Sequence, residues 1–318
     1  MPAVRPPPDA ALPGLPRLQY RADLVVPLPR RYRPEPTLRF LGRDAASPAE
    51  RVDGRRFVKT VRLAAGPALL AAELQSREAR CRLEAAAPLA PQDLETARAV
   101  AVRLLGLGAA SDPAAFERRA RALGAGRLVA GREGLRIPLA AEPFEGLVWA
   151  ILGQQVNVAF AATLRRRLIA LAGEPLPGGS GLRLHPAPAA VARLDPAALL
   201  PLQLSRRKAE YLVGAARAVA CGELPLDRLA QEPSEVVEQR LLALRGVGPW
   251  TAHYVMLRAL GFPDCVPVGD TGLGAGLVRL FALDHRPGAE ETLALLAPFR
   301  PHRSLAIAHL WASLGDTP

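Results

Sequence analysis

The 318-residue chain is long enough for two domains with substantial cores, and half of its residues are hydrophobic. No apolar run approaches the ~18 residues of a membrane span, and the N-terminus is punctuated by prolines where a signal peptide would be apolar, so a cytoplasmic protein is expected. Three widely spaced cysteines, Cys81, Cys221 and Cys265, match no metal pattern and exclude a disulfide framework, while a net charge of +11 fits a polyanionic partner without proving one.

Residues 1–19 read as a disordered proline-rich tail, 20–100 as an N-terminal α/β domain and 101–318 as a helical domain. In the first domain, 56–63 alternates polar and apolar residues as a half-buried strand would. Two further short strands are expected over 68–74 and 79–83, separated by Gly66-Pro67 and by 75–78, which together suggest an antiparallel sheet.

From Pro91 the pattern turns helical, over 94–105 and 113–123, followed by a glycine-rich connection over 124–138. Over 144–159, Leu147, Ala150, Ile151 and Val158 have helical spacing, and the polar pair Gln154-Gln155 interrupts that face. Arg165-Arg166-Arg167 reads as a solvated helix face. At 194–199 a helix is expected with Asp195 as its cap and Pro196 at its first position, and another begins at 206–212.

Between 234 and 260 the chain reads helix, tight glycine turn, helix. Val236, Val237, Leu241 and Leu242 form the apolar face of the first helix, Leu244 to Gly248 cannot continue it, and Pro249 suits the first turn of the second. Gly246 and Gly248 remove side chains that would keep a partner away. The N–H groups opening the second helix have no intrahelical acceptor and suit a phosphate. Ten residues beyond the second helix stands Asp270, within 266–273. Aspartate ahead of Thr271-Gly272 is also a ready helix cap.

The run from Leu244 to Ala252, with Asp270 about twenty residues beyond the turn, resembles the helix-hairpin-helix superfamily of DNA glycosylases, closest to its bacterial 3-methyladenine DNA glycosylase II branch. Segments 144–159 and 299–311 carry the same resemblance, as do 134–138 and, loosely, a helix over 32–43 in the N-terminal domain. The implied fold is α+β, a mostly helical helix-hairpin-helix core behind a small domain with an antiparallel sheet. Where many relatives carry two adjacent acids, this chain has Gly269 before Asp270.

The resemblance implies a monofunctional hydrolase, of the DNA-3-methyladenine glycosylase II type and without AP lyase activity, that removes alkylated bases from duplex DNA and leaves an abasic site. Cleaving an N-glycosidic bond builds positive charge on the sugar, which a single carboxylate, matched by Asp270, can stabilise. Relatives that also cut the strand have a nucleophilic lysine where this chain has Trp250, and no cysteine follows Cys265 to hold the iron–sulfur cluster of the endonuclease branch. Trp250, Tyr254 and Trp311 match the aromatic base pocket, whose faces would favour cationic 3-methyladenine and 7-methylguanine. Gln155 matches the side chain that fills the gap left by an extruded base. Gly246, Val247, Gly248 and Thr251 match DNA contacts, and the main-chain carbonyls of Leu242, Leu244 and Val247 match a monovalent-cation site. No other cofactor is implied, and a nucleoid-associated monomer is expected. The residues leave open a non-enzymatic DNA-binding protein and a glycosylase for uracil, hypoxanthine or oxidised bases.

Overall fold

The computed structural model describes residues 18–315, so the expected tail over 1–19 lies outside the described residues except for its last two. Leu18 is no tail residue. It is buried, and its N–H donates to a Glu84 carboxylate oxygen at 3.2 Å.

Five antiparallel strands form the N-terminal sheet: β1 (Tyr20–Pro27), β2 (Glu50–Asp53), β3 (Arg56–Leu63), β4 (Gly66–Leu74) and β5 (Glu78–Ala85). Their order is β1-β5-β4-β3-β2, a meander of four strands with β1 laid against its last. The three strands expected from the sequence are β3, β4 and β5. The outer pair was not expected: β2 is only four residues long, and β1, although it alternates in burial, ends in the unbroken apolar run Leu24-Val25-Val26. Helix α1 (Glu35–Gly42) lies within the span where a helix was expected, and α2 (Pro91–Leu104) covers one face of the sheet through Ala97, Val100, Ala101 and Leu104.

The sheet is not half-buried, as alternation suggested. On its second face Val58, Leu69 and Ala71 pack against Leu176 and Leu182, a loop of the helical domain. Strand β3 is therefore covered on both sides, and polar Lys59 and Thr60 are buried with it.

The helical domain follows as α3 (Pro113–Ala122), α4 (Gly126–Val129), α5 (Pro143–Leu152), α6 (Val158–Ala172), α7 (Pro188–Ala192), a 3₁₀ turn (Pro196–Leu202), α8 (Arg206–Ala220), α9 (Leu226–Leu229), α10 (Ser234–Leu242), α11 (Pro249–Val255), α12 (Thr271–Phe281), α13 (Ala289–Leu296) and α14 (Arg303–Leu314). A π turn, Met256–Leu260, extends α11 until Gly261, at φ 79°, ends it. One apolar core running from Phe116 to Leu310 unites these helices. Asp195 caps its turn as expected, accepting from the Ala197 N–H at 2.9 Å, although the turn is 3₁₀.

A buried ionic cluster joins the two domains. Lys59 Nζ of β3 lies 2.7 Å from Glu50 of β2 and 2.8 Å from Glu145 of α5, and Arg165 of α6 bonds to both glutamates. Lys59 and Arg165 side chains are each 2% exposed. The solvated arginine face expected at 165–167 is thus wrong at its first residue. Burial raises the pKa of both glutamates, and the two cations more than reverse that: Glu145 is pushed down to about 2 and Glu50 well below its ordinary range.

Candidate active site

The hairpin between α10 and α11 has a divided logic. Gly246 sits at φ 86°, and a Cβ there would meet the Tyr211 ring of α8 at 2.2 Å, so this glycine is required by internal packing. A Cβ on Gly248 would meet nothing within 4 Å, so this is the glycine that leaves the backbone open. Val237 and Leu241 anchor α10 in the core, whereas Leu242, expected on the apolar face, is 39% exposed and Val236 is half-buried. Val247 has a buried side chain, and its N–H donates to the Leu244 carbonyl at 3.0 Å. Thr251, expected as a DNA contact, is also buried, and its hydroxyl accepts from the Gln154 amide at 3.0 Å.

The helical spacing over 144–159 belongs to two helices with a turn between them. The break falls at the polar pair: α5 ends at Leu152, Gln155 adopts φ 55°, and Asn157 caps α6 by accepting from the Phe160 N–H at 2.8 Å. Val158, expected in the core, is 63% exposed. Gln155 is exposed at the apex, in a left-handed conformation uncommon for a residue with a Cβ. Its neighbour Gln154 turns inward, donating its amide to the Gly246 carbonyl at 2.8 Å and to Thr251 Oγ1 at 3.0 Å. Lys208 Nζ donates to the carbonyls of Leu152 and Gln154, both at 2.9 Å. The Gln155 turn and the hairpin are therefore one tied unit. Sequence reading missed Gln154 and Lys208 in this role, although Lys208 is one of only two lysines in an arginine-rich chain.

Asp270 caps α12, and it does more than cap. Its Oδ1 accepts from the Leu273 N–H at 2.8 Å and from the Trp311 indole at 2.9 Å, while Oδ2 accepts from the Trp250 indole at 3.2 Å. Three N–H donors from three elements fix the carboxylate. Gly272 makes room for this: a Cβ there would lie 3.1 Å from Trp311 Cδ1. Trp250 stacks on Tyr254, with ring centres 5.3 Å apart, and Tyr254 lies 6.2 Å from Trp311. All three rings are half-buried, at the rim of the core.

Residues that no sequence signal marked complete the wall. The Arg258 guanidinium lies 5.0 Å from the Trp311 ring centre and 5.2 Å from that of Phe40 in α1. Arg43 lies 4.2 Å over the same Phe40 and 3.8 Å over Trp149 of α5. Rings and guanidiniums thus alternate from Trp149 to Trp311, each contact contributing about 0.5–2 kcal/mol. Burial lowers the pKa of both arginines, that of Arg43 to about 10, and both stay charged at neutral pH. Beside Trp311 opens a cavity of about 280 Å³.

The profile of the HhH-GPD superfamily base excision DNA repair proteins matches residues 148–301. The chain is 35% identical to a DNA-3-methyladenine glycosylase of Bacillus subtilis over 182 residues, 57% of this chain and 60% of that protein. It is 36% identical to DNA-3-methyladenine glycosylase 2 of Escherichia coli over 196 residues, 61% of this chain and 65% of that one. The matched part therefore spans less than two thirds of either relative. Among solved structures, a 3-methyladenine DNA-glycosylase from Archaeoglobus fulgidus superposes with a TM-score of 0.78 at 22% identity, covering 91% of this chain and 97% of that one. The Gln155 turn, the hairpin and Asp270 all fall inside the matched segment, and it is over this segment that the chain resembles the HhH-GPD superfamily of base excision DNA repair proteins.

Proposed function

We propose that this protein is a monofunctional DNA glycosylase that excises alkylated bases of the 3-methyladenine and 7-methylguanine type from duplex DNA, leaving an abasic site. The carrying observation is Asp270, a carboxylate gripped by two indole N–H groups among three aromatic rings. A helix cap alone needs neither tryptophan. As the glycosidic bond breaks, positive charge grows on the sugar, and the fixed carboxylate stabilises it and orients the attacking water. Trp250, Tyr254 and Trp311 receive the base.

The tied unit of hairpin and Gln155 turn grips the duplex. The Gly248 side of the hairpin approaches phosphates, and Gln155 at its strained apex enters the space of the extruded nucleotide. The carbonyls of Leu242, Leu244 and Val247 would hold a monovalent cation there: Leu244 already accepts one N–H but keeps a second lone pair, and neutral oxygens suit a singly charged ion. When bound, such an ion adds positive charge near a phosphate.

The placement of the lysines supports hydrolysis without strand cleavage. Lys59 lies in the interdomain ion cluster, and Lys208 is engaged by two carbonyls. Burial lowers the Lys208 pKa, which favours a reactive neutral amine, but both of these bonds need its protons.

Single-turnover excision on a panel of lesion-bearing duplexes tests the reading. Release of 3-methyladenine and 7-methylguanine is expected, with strand breaks only after alkali and no adduct trapped by borohydride. Tight duplex binding with no base released would leave a DNA-binding protein, and a trapped adduct would make Lys208 the first suspect.

A further inference from the structure

The ring that would cradle a cationic base already carries a cation of the protein. Arg258 lies in the π turn that extends the helix of Trp250 and Tyr254, and its guanidinium reaches the same Trp311 ring that Tyr254 faces. Its guanidinium is clamped between Trp311 and Phe40, and Nη1 donates to the Pro138 carbonyl at 3.1 Å, which fixes it in the wall. The neighbouring cavity is cationic as well, lined by five arginines, Arg258 among them, against the single acid Glu35. At the N–H edge of the Trp311 indole, Asp270 is the one carboxylate bonded to the aromatic cluster among the described residues, and its charge also acts on Arg258. An aromatic face attracts a positive charge through its quadrupole, and a second cation drawn to the same ring meets the first.

We propose that Arg258 sets the charge preference of the base pocket: by occupying the cationic position over Trp311 it cancels most of the advantage the rings would give a positively charged base, so neutral purines enter as readily as cationic ones. This rests on the glycosylase reading and deepens it. A base stacked ~3.5 Å beyond the ring brings its charge within ~9 Å of the guanidinium, where repulsion in a half-buried site amounts to about tenfold in an equilibrium constant. The labile bond of an alkylated purine still makes it the faster substrate. The pocket itself is close to indifferent to charge.

The test compares single-turnover excision of 7-methylguanine, assayed at mildly acid pH where it is cationic, with that of neutral hypoxanthine. Arg258→Gln keeps a donor for the Pro138 carbonyl and removes the charge, while Arg258→Lys keeps the charge. The cationic-to-neutral rate ratio should rise about tenfold in the glutamine variant and stay at the wild-type value in the lysine variant. An unmoved ratio, or an equal fall on both substrates, assigns Arg258 to structure and overturns the proposal. Should the glutamine variant not fold, quenching of tryptophan fluorescence in the unaltered protein decides: the permanent cation 3,9-dimethyladeninium should bind no more tightly than neutral 9-methyladenine, and a tenfold preference for the cation refutes the idea. Wild-type protein that excises neither lesion defeats the glycosylase reading, and this inference falls with it. Excision with an unmoved ratio defeats the inference alone.

Discussion

Helix α5 holds a member of each of two buried polar clusters that use charge in opposite ways. Near its N-terminal end, Glu145 joins Glu50, Lys59 and Arg165, two anions against two cations, closed off from water. One turn on, Trp149 lies under Arg43 and begins the stack that leads through Phe40 and Arg258 to Trp311 and Asp270. In the first cluster two anions balance two cations, so its net charge is zero and its use is to fix one domain against the other. In the second, the guanidiniums are held by ring faces and the carboxylate by neutral N–H groups. Such partners fix position without cancelling charge, so the field remains for a substrate.

The sharpest way to break this comparison is to remove one charge from each cluster. Asp270→Asn should lower single-turnover excision by roughly 10³-fold, the size of loss seen when a group facing developing charge is removed. Asparagine caps helices as well as aspartate and loses only the bond from Trp250, which an amide nitrogen cannot accept, so the thermal midpoint should fall only slightly. Retained excision with a large fall in midpoint would make Asp270 structural. Arg165→Met should do the reverse, leaving Glu50 and Glu145 with Lys59 as their one shared cation and destabilising the fold by about 3–5 kcal/mol in urea titration. The excision rate of the molecules still folded should be that of the wild type.

Acid sharpens the contrast further. Burial pushes His185 and His309 down to about 4, so the unfolded chain binds protons that the folded one refuses, and stability should begin to fall as pH drops below 6.5. Glu145, depressed to about 2, contributes stability that is present above 4.5 and lost as pH falls from there towards 2. Urea midpoints measured across pH should therefore decline in two stages. The lower stage should shrink in Arg165→Met; an unchanged lower stage would take Glu145 out of the account.

The smallest effect expected is at the tie between hairpin and Gln155 turn. Gln154→Ala loses two hydrogen bonds and leaves the Gly246 carbonyl without this donor, worth about 1 kcal/mol. Binding should weaken equally on damaged and undamaged duplexes, because phosphate contacts carry no sequence information. A loss confined to one lesion would place Gln154 in the base pocket instead.

Where a feature depends on neighbours in the chain, the sequence alone determined it. Glycine and proline act within one turn, so the hairpin over 234–260 was legible, as were three strands, most helix starts and the Asp195 cap. Asp270 was legible as a cap from its own residue type, and as a catalytic candidate through the family resemblance to which its distance from the hairpin belongs. The tertiary structure decided whatever depends on partners far along the chain. Lys59 and Arg165 read as surface charges until residues from β2 and α5 surround them, because a pattern of polar and apolar residues cannot show that a loop at 176–182 will close the second face of the sheet. Gln154 and Gln155 looked alike, and only the left-handed turn sends one inward to the hairpin and leaves the other exposed. Arg258 had the look of one basic residue among many. Its place between Trp311 and Phe40, from the last helix and the first, exists only once both ends of the chain meet at α11.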